Sequence, residues 1–115
     1  MTPRPQLRVI KAYQPTCADP LQAASGERLL FERRATEWEG WLWCTDGAGR
    51  SSWLPEAWVR LEAEHCVLQR DYSAVELNVK PGDVLAVELI ESGWAWVKSR
   101  QGAKGWVPLI HTEPV

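Results

Sequence analysis

The sequence predicts an all-β protein built from two small barrels in tandem, and an internal repeat is the main reason. The stretch Gly40–Pro55 recurs as Gly93–Pro108 without a gap. Its matched positions are Trp41 and Trp94, Trp43 and Trp96, Trp53 and Trp106, and Pro55 and Pro108. Six of the eight tryptophans therefore belong to one duplicated hairpin. Within 115 residues, this spacing favours two units of roughly 50 to 60 residues, near the lower limit for independent folding.

The first unit is predicted to begin with a short extended arm, Met1–Gln6, because its two prolines prevent regular pairing. Period-two patterns separated by turn residues then predict strands at Leu7–Tyr13, Arg28–Arg34, Trp41–Thr45, Arg50–Leu54 and Trp58–Leu61. The polar, proline-containing stretch Gln14–Ser25 is a long excursion. Asp46–Gly49 is a strong hairpin turn.

The second unit repeats this order. Its predicted strands are Cys66–Tyr72, Val84–Ile90, Trp94–Ser99, Ala103–Val107 and Pro108–Thr112. Only Glu62–His65 separates the two units, so we expect a boundary between residues 62 and 63, with residues 1–62 and 63–115 as the two domains. A link this short is no flexible tether, and the barrels are expected to abut.

Alternation along the duplicated hairpin assigns its two faces. Small and aliphatic residues suit the interior of a small barrel, which places Leu42, Cys44, Leu54, Ala95, Val97 and Val107 inside and the tryptophans outside. Counting from the turns pairs Trp43 with Trp53 and Trp96 with Trp106 across the strands. Trp41 and Trp94 are expected to contact a ligand, whereas Trp43 and Trp96 are expected to have a structural role, with their rings between the two units.

Charge and composition exclude several classes of function. The formal net charge is −2, so no basic surface suggests nucleic acid or an anionic membrane as a partner. No apolar run approaches the ~20 residues of a membrane span. The first residues lack the apolar core of a secretory signal, so we expect a cytoplasmic protein.

The three cysteines, Cys17, Cys44 and Cys66, have no metal-binding spacing. We expect reduced thiols, with Cys44 in a core, and neither a metal nor another cofactor. Catalysis is not expected, because the neighbours His65 and Cys66 would point to opposite faces of a strand. His111 with Cys44 or Cys17 also lacks an evident orienting group.

The two units carry the same ordered set of short motifs. The first unit carries Val9-Ile10-Lys11-Ala12-Tyr13, Leu21, Gly26-Glu27, Trp41, Ser52-Trp53-Leu54-Pro55 and Trp58-Val59. The second carries Leu68-Gln69-Arg70-Asp71-Tyr72, Leu77, Gly82-Asp83, Trp94, Gly105-Trp106-Val107-Pro108 and His111-Thr112. In this order, the motifs resemble those of Src-homology-3 (SH3) domains, specifically the variant common in bacterial proteins. The resemblance covers everything except the arm and the last residues.

The resemblance implies two five-stranded SH3-like barrels that bind an extended, proline-containing peptide of another protein on aromatic rings. Carried over by position, the resemblance implies a groove in the first unit formed by Tyr13, Trp41, Pro55 and Trp58, with Trp53 at its edge. In the second unit it implies a groove formed by Tyr72, Trp94, Pro108 and His111, with Trp106 beside it. Lys11 and Arg70 replace the first tyrosine of the motif, and His111 replaces the closing tyrosine. Where the family has an acidic loop residue that pairs with a ligand arginine, the first unit has Pro20 with Asp19 beside it, and the second unit has Glu76.

With Glu37 and Glu39 adding negative charge near Trp41, the first unit is expected to be the main site, for a ligand with a basic residue. An alternative stays open: the tryptophan faces bury between the barrels or in a homodimer. In that case the arm Pro3-Arg4-Pro5 could occupy a neighbour's groove. A small hydrolase, or an accessory to one, is the least favoured class.

Overall fold

The computed structural model describes residues 5–15, 19–35 and 38–115 of the chain. Predictions that concern Pro3, Arg4, Cys17 and Glu37 lie outside these residues. The fold is all-β, as predicted, and consists of antiparallel sheets. Over the described ranges, no helix is both long and apolar enough to cross a membrane.

Twelve strands are present in the described part of the chain. In order they are β1 (Gln6–Val9), β2 (Gln22–Ala23), β3 (Arg28–Glu32), β4 (Trp41–Thr45), β5 (Ser51–Pro55), β6 (Val59–Leu61), β7 (His65–Leu68), β8 (Tyr72–Ser73), β9 (Val84–Glu91), β10 (Trp94–Lys98), β11 (Lys104–Pro108) and β12 (Thr112–Pro114). Short 3-10 turns at Glu56–Trp58 and Leu109–His111 lead into β6 and β12. These bounds follow most of the predicted strands to within a few residues. The predicted strands Leu7–Tyr13 and Cys66–Tyr72 each stop early, the predicted closing strand Pro108–Thr112 is mostly the 3-10 turn that precedes β12, and β2 lies in the excursion Gln14–Ser25, where no strand was predicted.

Ten of these strands form two five-stranded sheets with equivalent orders. One sheet has the order β11-β10-β9-β1-β12, and the other has the order β5-β4-β3-β7-β6. The two remaining strands, β2 and β8, pair with each other. Each strand of one large sheet thus has a counterpart in the other sheet, as the sequence repeat predicts.

The two compact units are not consecutive halves of the chain. One, which we call the split unit, combines the described residues of Met1–Thr16 with Val75–Val115. The other, the continuous unit, comprises the described residues of Cys17–Ala74. The predicted boundary between residues 62 and 63 is therefore wrong, because the first strand of each repeat lies in the unit formed mainly by the other repeat.

A tight turn explains this exchange. The predicted linker joins β6 to β7 as a hairpin, in which the Glu62 N–H donates to the His65 carbonyl at 2.8 Å, and Leu61 lies opposite Cys66. Strand β7 consequently stays beside β6 and pairs with β3 on its other side. The equivalent position between β9 and β12 is taken by β1.

Each unit has its own apolar core, and the six residues predicted to lie inside are all buried. Leu42, Cys44 and Leu54 are buried in the continuous unit, and Ala95, Val97 and Val107 in the split unit. The core of the split unit also includes Val9 from β1. The exchanged strand is therefore part of that core, and removing it would expose apolar surface.

Candidate functional site

The duplicated hairpins place their tryptophans in the predicted register. In β4 and β5, Trp43 lies opposite Trp53, and their ring centroids are 5.2 Å apart. In β10 and β11, Trp96 lies opposite Trp106 at 5.5 Å. Both pairs meet edge to face, the arrangement that aromatic quadrupoles favour.

Exposure separates these tryptophans into two groups. Trp41, Trp43, Trp53, Trp94 and Trp96 are half-buried. Trp106 retains only 3% of its surface, so this predicted site residue offers almost nothing to a ligand. Pro55 and Pro108, which were predicted to line the grooves, are also fully buried and therefore support their strands rather than form a surface.

Three aromatic side chains of the split unit are linked through Tyr13, and we call them the Tyr13 ring row. The ring centroid of Tyr13 lies 5.5 Å from that of Trp94 and 5.5 Å from that of His111. Both contacts are edge to face, and all three side chains are half-buried. The Tyr13 hydroxyl donates to Glu76 Oε2 at 3.0 Å, which adds a carboxylate beside the rings.

Local structure fixes each member of the row. Tyr13 exchanges both main-chain hydrogen bonds with Val79, at 3.0 and 2.9 Å. Trp94 begins β10 immediately after a two-residue turn, in which Ser92 and Gly93 have φ values of 45° and 89°, as a tight hairpin requires. His111 ends the 3-10 turn, and its Nδ1 lies 3.1 Å from the Ala12 carbonyl oxygen.

The continuous unit has a related but covered arrangement, which we call the Tyr72 cluster. Trp58 and Tyr72 meet edge to face at 5.6 Å, and the Tyr72 hydroxyl donates to the Trp53 carbonyl at 2.8 Å. The guanidinium of Arg70 lies 3.9 Å above the Trp58 ring, close enough for a cation–π interaction. Trp58 and Tyr72 retain only 7% and 6% of their surface.

The predicted grouping of site residues is therefore wrong for the two tyrosines. Tyr13 was assigned to Trp41 and Trp58, but it contacts Trp94 and His111. Tyr72 was assigned to Trp94 and His111, but it contacts Trp58. Each tyrosine follows the exchanged strand of its own repeat, so the exchange that changes the domains also changes the two sites.

The two predicted acidic site residues, Glu76 and Asp19, have different surroundings. Glu76 belongs to the Tyr13 ring row through its hydrogen bond with Tyr13. Asp19 has a side chain that is 79% exposed and lies 3.9 Å from an Arg50 nitrogen, an exposed pair of little energetic weight. Asp19 is thus not among the groups that contact either aromatic cluster in the described residues.

Cys44 and Cys66 are the buried thiols of the continuous unit, and their sulfurs are 3.9 Å apart. Burial raises the pKa of both Cys44 and Cys66, since it disfavours the charged thiolate. Thiolates are the reactive form, so neither sulfur is set up as a nucleophile. The described residues contain no group of three or more His, Cys, Asp or Glu side chains that could hold a metal ion.

A pocket of about 360 Å³ also lies in the split unit, where the segment around Val79 and Asp83 faces the turn around Arg100. None of the three rings of the Tyr13 ring row lines it, so it is separate from the candidate site. No protein-family model, curated protein or solved structure matches the chain.

Proposed function

We propose that this protein is a non-enzymatic interaction module of the SH3-like type, which binds an extended, proline-containing peptide on the Tyr13 ring row. The observation that carries the proposal is this set of rings: the half-buried Tyr13 ring is in edge-to-face contact with two further half-buried rings, Trp94 and His111, on a small β unit. This moves the main site from the continuous unit to the split unit, since Trp58 and Tyr72 are covered in the continuous unit.

The physical basis is low entropic cost and shape. A polyproline II segment is extended before it binds, so docking it orders few additional bonds. Adjacent rings spaced 5.5 Å apart present ridges and hollows on which proline rings can pack. Such a site is shallow, and we expect a Kd in the micromolar rather than the nanomolar range.

Glu76 supports a ligand that carries a basic residue. Its carboxylate lies beside the rings, where it accepts the Tyr13 hydroxyl and contributes a negative charge. A guanidinium next to the proline segment would form a charge-assisted hydrogen bond there. We therefore propose a synthetic oligoproline peptide with one arginine as the probe.

Fluorescence anisotropy of the labelled probe tests this proposal, and the duplication supplies a matched control. Trp94→Ala is expected to raise Kd about tenfold or more, as loss of a central aromatic contact does. Trp41→Ala, at the equivalent position of the continuous unit, is expected to change Kd less than about twofold. Absence of binding by the native chain, or the reverse pattern in the two variants, would contradict the proposal. Circular dichroism verifies that both variants are folded.

Self-association is the second candidate, and apolar exposure favours it. Ile10, Ile90 and Ile110 belong to the split unit and are 50%, 55% and 68% exposed. A second copy could cover such side chains, since exposed apolar surface favours association. Sedimentation equilibrium over a range of concentrations decides the matter: a dimer that is lost in Ile110→Ser, without any effect of the peptide probe, would favour this function over peptide binding.

A further inference from the structure

We propose that the pocket of the split unit is a binding site for a free α-amino acid with an aliphatic side chain. The pocket has a volume of about 360 Å³ and is lined by the segment 77–85 on one side and by the hairpin turn 99–103 on the other. This size is at the lower end of the range for small-molecule sites and suits a small ligand. No ring of the Tyr13 ring row lines the pocket, so the inference is independent of the proposed function.

Two opposite charges line this pocket without pairing with each other. Arg100 belongs to the hairpin turn, and Asp83 belongs to the facing segment. Among the described residues, neither side chain forms an ion pair. Lys104 follows the same turn, but its Nζ lies 3.1 Å from Glu88 and it does not line the pocket. A ligand with one negative and one positive group would therefore complement Arg100 and Asp83.

An α-amino acid carries these two charges on neighbouring groups. Its carboxylate can accept two parallel hydrogen bonds from the guanidinium of Arg100. Its ammonium can donate to the carboxylate of Asp83, whose Oδ2 accepts the Lys80 N–H at 3.0 Å and whose Oδ1 has no hydrogen bond within the described residues. The end of a peptide chain carries only one of the two charges, which is why we infer a free amino acid.

The apolar part of the lining provides a surface for an aliphatic side chain. It consists of Leu77, Val79, Val84, Leu85 and Ala103. Covering apolar surface adds to affinity without requiring a further charge on the ligand. The carbons of a leucine side chain match this surface, whereas glycine would leave it uncovered.

Main-chain hydrogen bonds hold both sides of the pocket in place. The Gly82 N–H donates to the Val9 carbonyl at 2.9 Å, and the Val9 N–H donates to the Asp83 carbonyl at 2.8 Å. In the turn, the Ser99 N–H donates to the Ala103 carbonyl at 2.8 Å, and the Ala103 N–H donates to the Ser99 hydroxyl at 3.1 Å. A ligand would thus order little of the chain when it binds, which lowers the entropic cost.

The continuous unit repeats these elements without the same arrangement of charges. Gly47 stands at the position that corresponds to Arg100. The cation of that turn is Arg50, and its Nε donates to Asp46 Oδ2 at 2.9 Å. That turn therefore uses its cation internally, and we expect one amino-acid site per chain.

Proton–nitrogen correlation NMR of the full chain during addition of L-leucine tests the proposal. We expect saturable shift changes of the amides around Asp83 and Arg100, with a Kd on the order of 1 mM, as a ligand of this size allows. Three further probes each lack one feature: N-acetyl-L-leucine lacks the ammonium, L-leucinamide lacks the carboxylate and glycine lacks the side chain. Each is expected to bind about fivefold or more weakly.

Variants of the two charged residues test their roles. Arg100→Gln and Asp83→Asn are expected to raise Kd for L-leucine about tenfold and about fivefold, because each removes one charge-assisted contact. The controls lie in the continuous unit. Glu27→Gln removes the carboxylate at the position that corresponds to Asp83, and Arg33→Gln removes a cation that lies 2.8 Å from Glu56. Both controls are expected to change Kd less than about twofold.

Three results would overturn the proposal. The first is the absence of saturable shift changes around Asp83 and Arg100. The second is binding of N-acetyl-L-leucine or L-leucinamide as tightly as L-leucine, which would assign the pocket to a single charge. The third is unchanged affinity for L-leucine in the folded Arg100→Gln variant. The dispersion of the same spectra establishes that each variant is folded.

Discussion

Asp46 shows how a single side chain organises the turn between β4 and β5. Its Oδ1 accepts the backbone N–H groups of Ala48 and Arg50, both at 2.9 Å, and its Oδ2 accepts Arg50 Nε at 2.9 Å. Burial opposes the ionisation of this carboxyl, but the hydrogen bonds and charge of Arg50 and the N–H of Ala48 outweigh it. The pKa of Asp46 is therefore lowered.

Asp46→Asn is expected to reduce the free energy of unfolding by on the order of 1 to 2 kcal/mol at about pH 7, as loss of charged hydrogen bonds does. A lowered native pKa gives stability that is present above the unfolded-state pKa and disappears as the pH falls through the native one. The difference between the variant and the native chain should thus shrink towards about pH 3. Urea denaturation at several pH values measures it.

The split unit provides the control for Asp46. Ser99 stands at the equivalent turn position and accepts the Ala103 N–H through its hydroxyl at 3.1 Å. Ser99→Ala removes a hydrogen bond without removing a titrating group, so its effect should not vary over the same pH range. A destabilisation by Asp46→Asn that is equally independent of pH would contradict the account of this turn.

At the scale of elements, the segment Val75–Leu77 connects β11 to the Tyr13 ring row. The Trp106 N–H donates to the Val75 carbonyl at 2.9 Å, and the Leu77 N–H donates to the Trp106 carbonyl at 3.1 Å. Glu76, in the middle of this segment, accepts the Tyr13 hydroxyl. The distance between the segment and β11 therefore determines where the carboxylate lies relative to the rings.

Gly105 permits this close approach, and Gly105→Ala is expected to disturb it. An added Cβ would lie 3.0 Å from the Leu77 N, the Leu77 Cγ and the Val75 O, so main-chain atoms would have to move. We expect a loss of about 1 to 3 kcal/mol in the free energy of unfolding, the usual effect of overpacking, together with weaker probe binding. Gly47→Ala is the control, since nothing lies within 4 Å of its Cβ. Equal stability of the two variants would be inconsistent with this packing.

The elements themselves were largely predictable from the sequence. Alternation along β4 and β10 identified the buried faces, because one face of a strand in a small barrel must be apolar. The lengths of the turns identified the pairs Trp43–Trp53 and Trp96–Trp106. The covering of Trp106 could not be predicted, since it depends on how Val75–Leu77 packs over β11 and not on any local pattern.

At the scale of the whole molecule, the exchange of β1 and β7 could not be predicted from the sequence. Both strands place apolar residues at alternate positions and lead to a tyrosine at the same spacing, so either strand suits either sheet by pattern alone. What distinguishes the arrangements is the short turn between β6 and β7, which keeps β7 in the continuous unit. The partners of Tyr13 and Tyr72 follow from that turn, and no local motif specifies them.

The most direct test of the exchange is a disulfide cross-link in a cysteine-free background made with Cys17→Ser, Cys44→Ala and Cys66→Ala. Arg8 lies opposite Glu113 across β1 and β12, and antiparallel partners are close enough for a disulfide. Arg60 occupies the position in β6 that corresponds to Glu113, and it lies opposite Val67. Arg8→Cys with Glu113→Cys should therefore form a disulfide within the monomer, detected by mass spectrometry, whereas Arg8→Cys with Arg60→Cys should remain reduced. A cross-link in the second pair and none in the first would show consecutive domains, and would contradict the grouping of Tyr13 with Trp94 and His111.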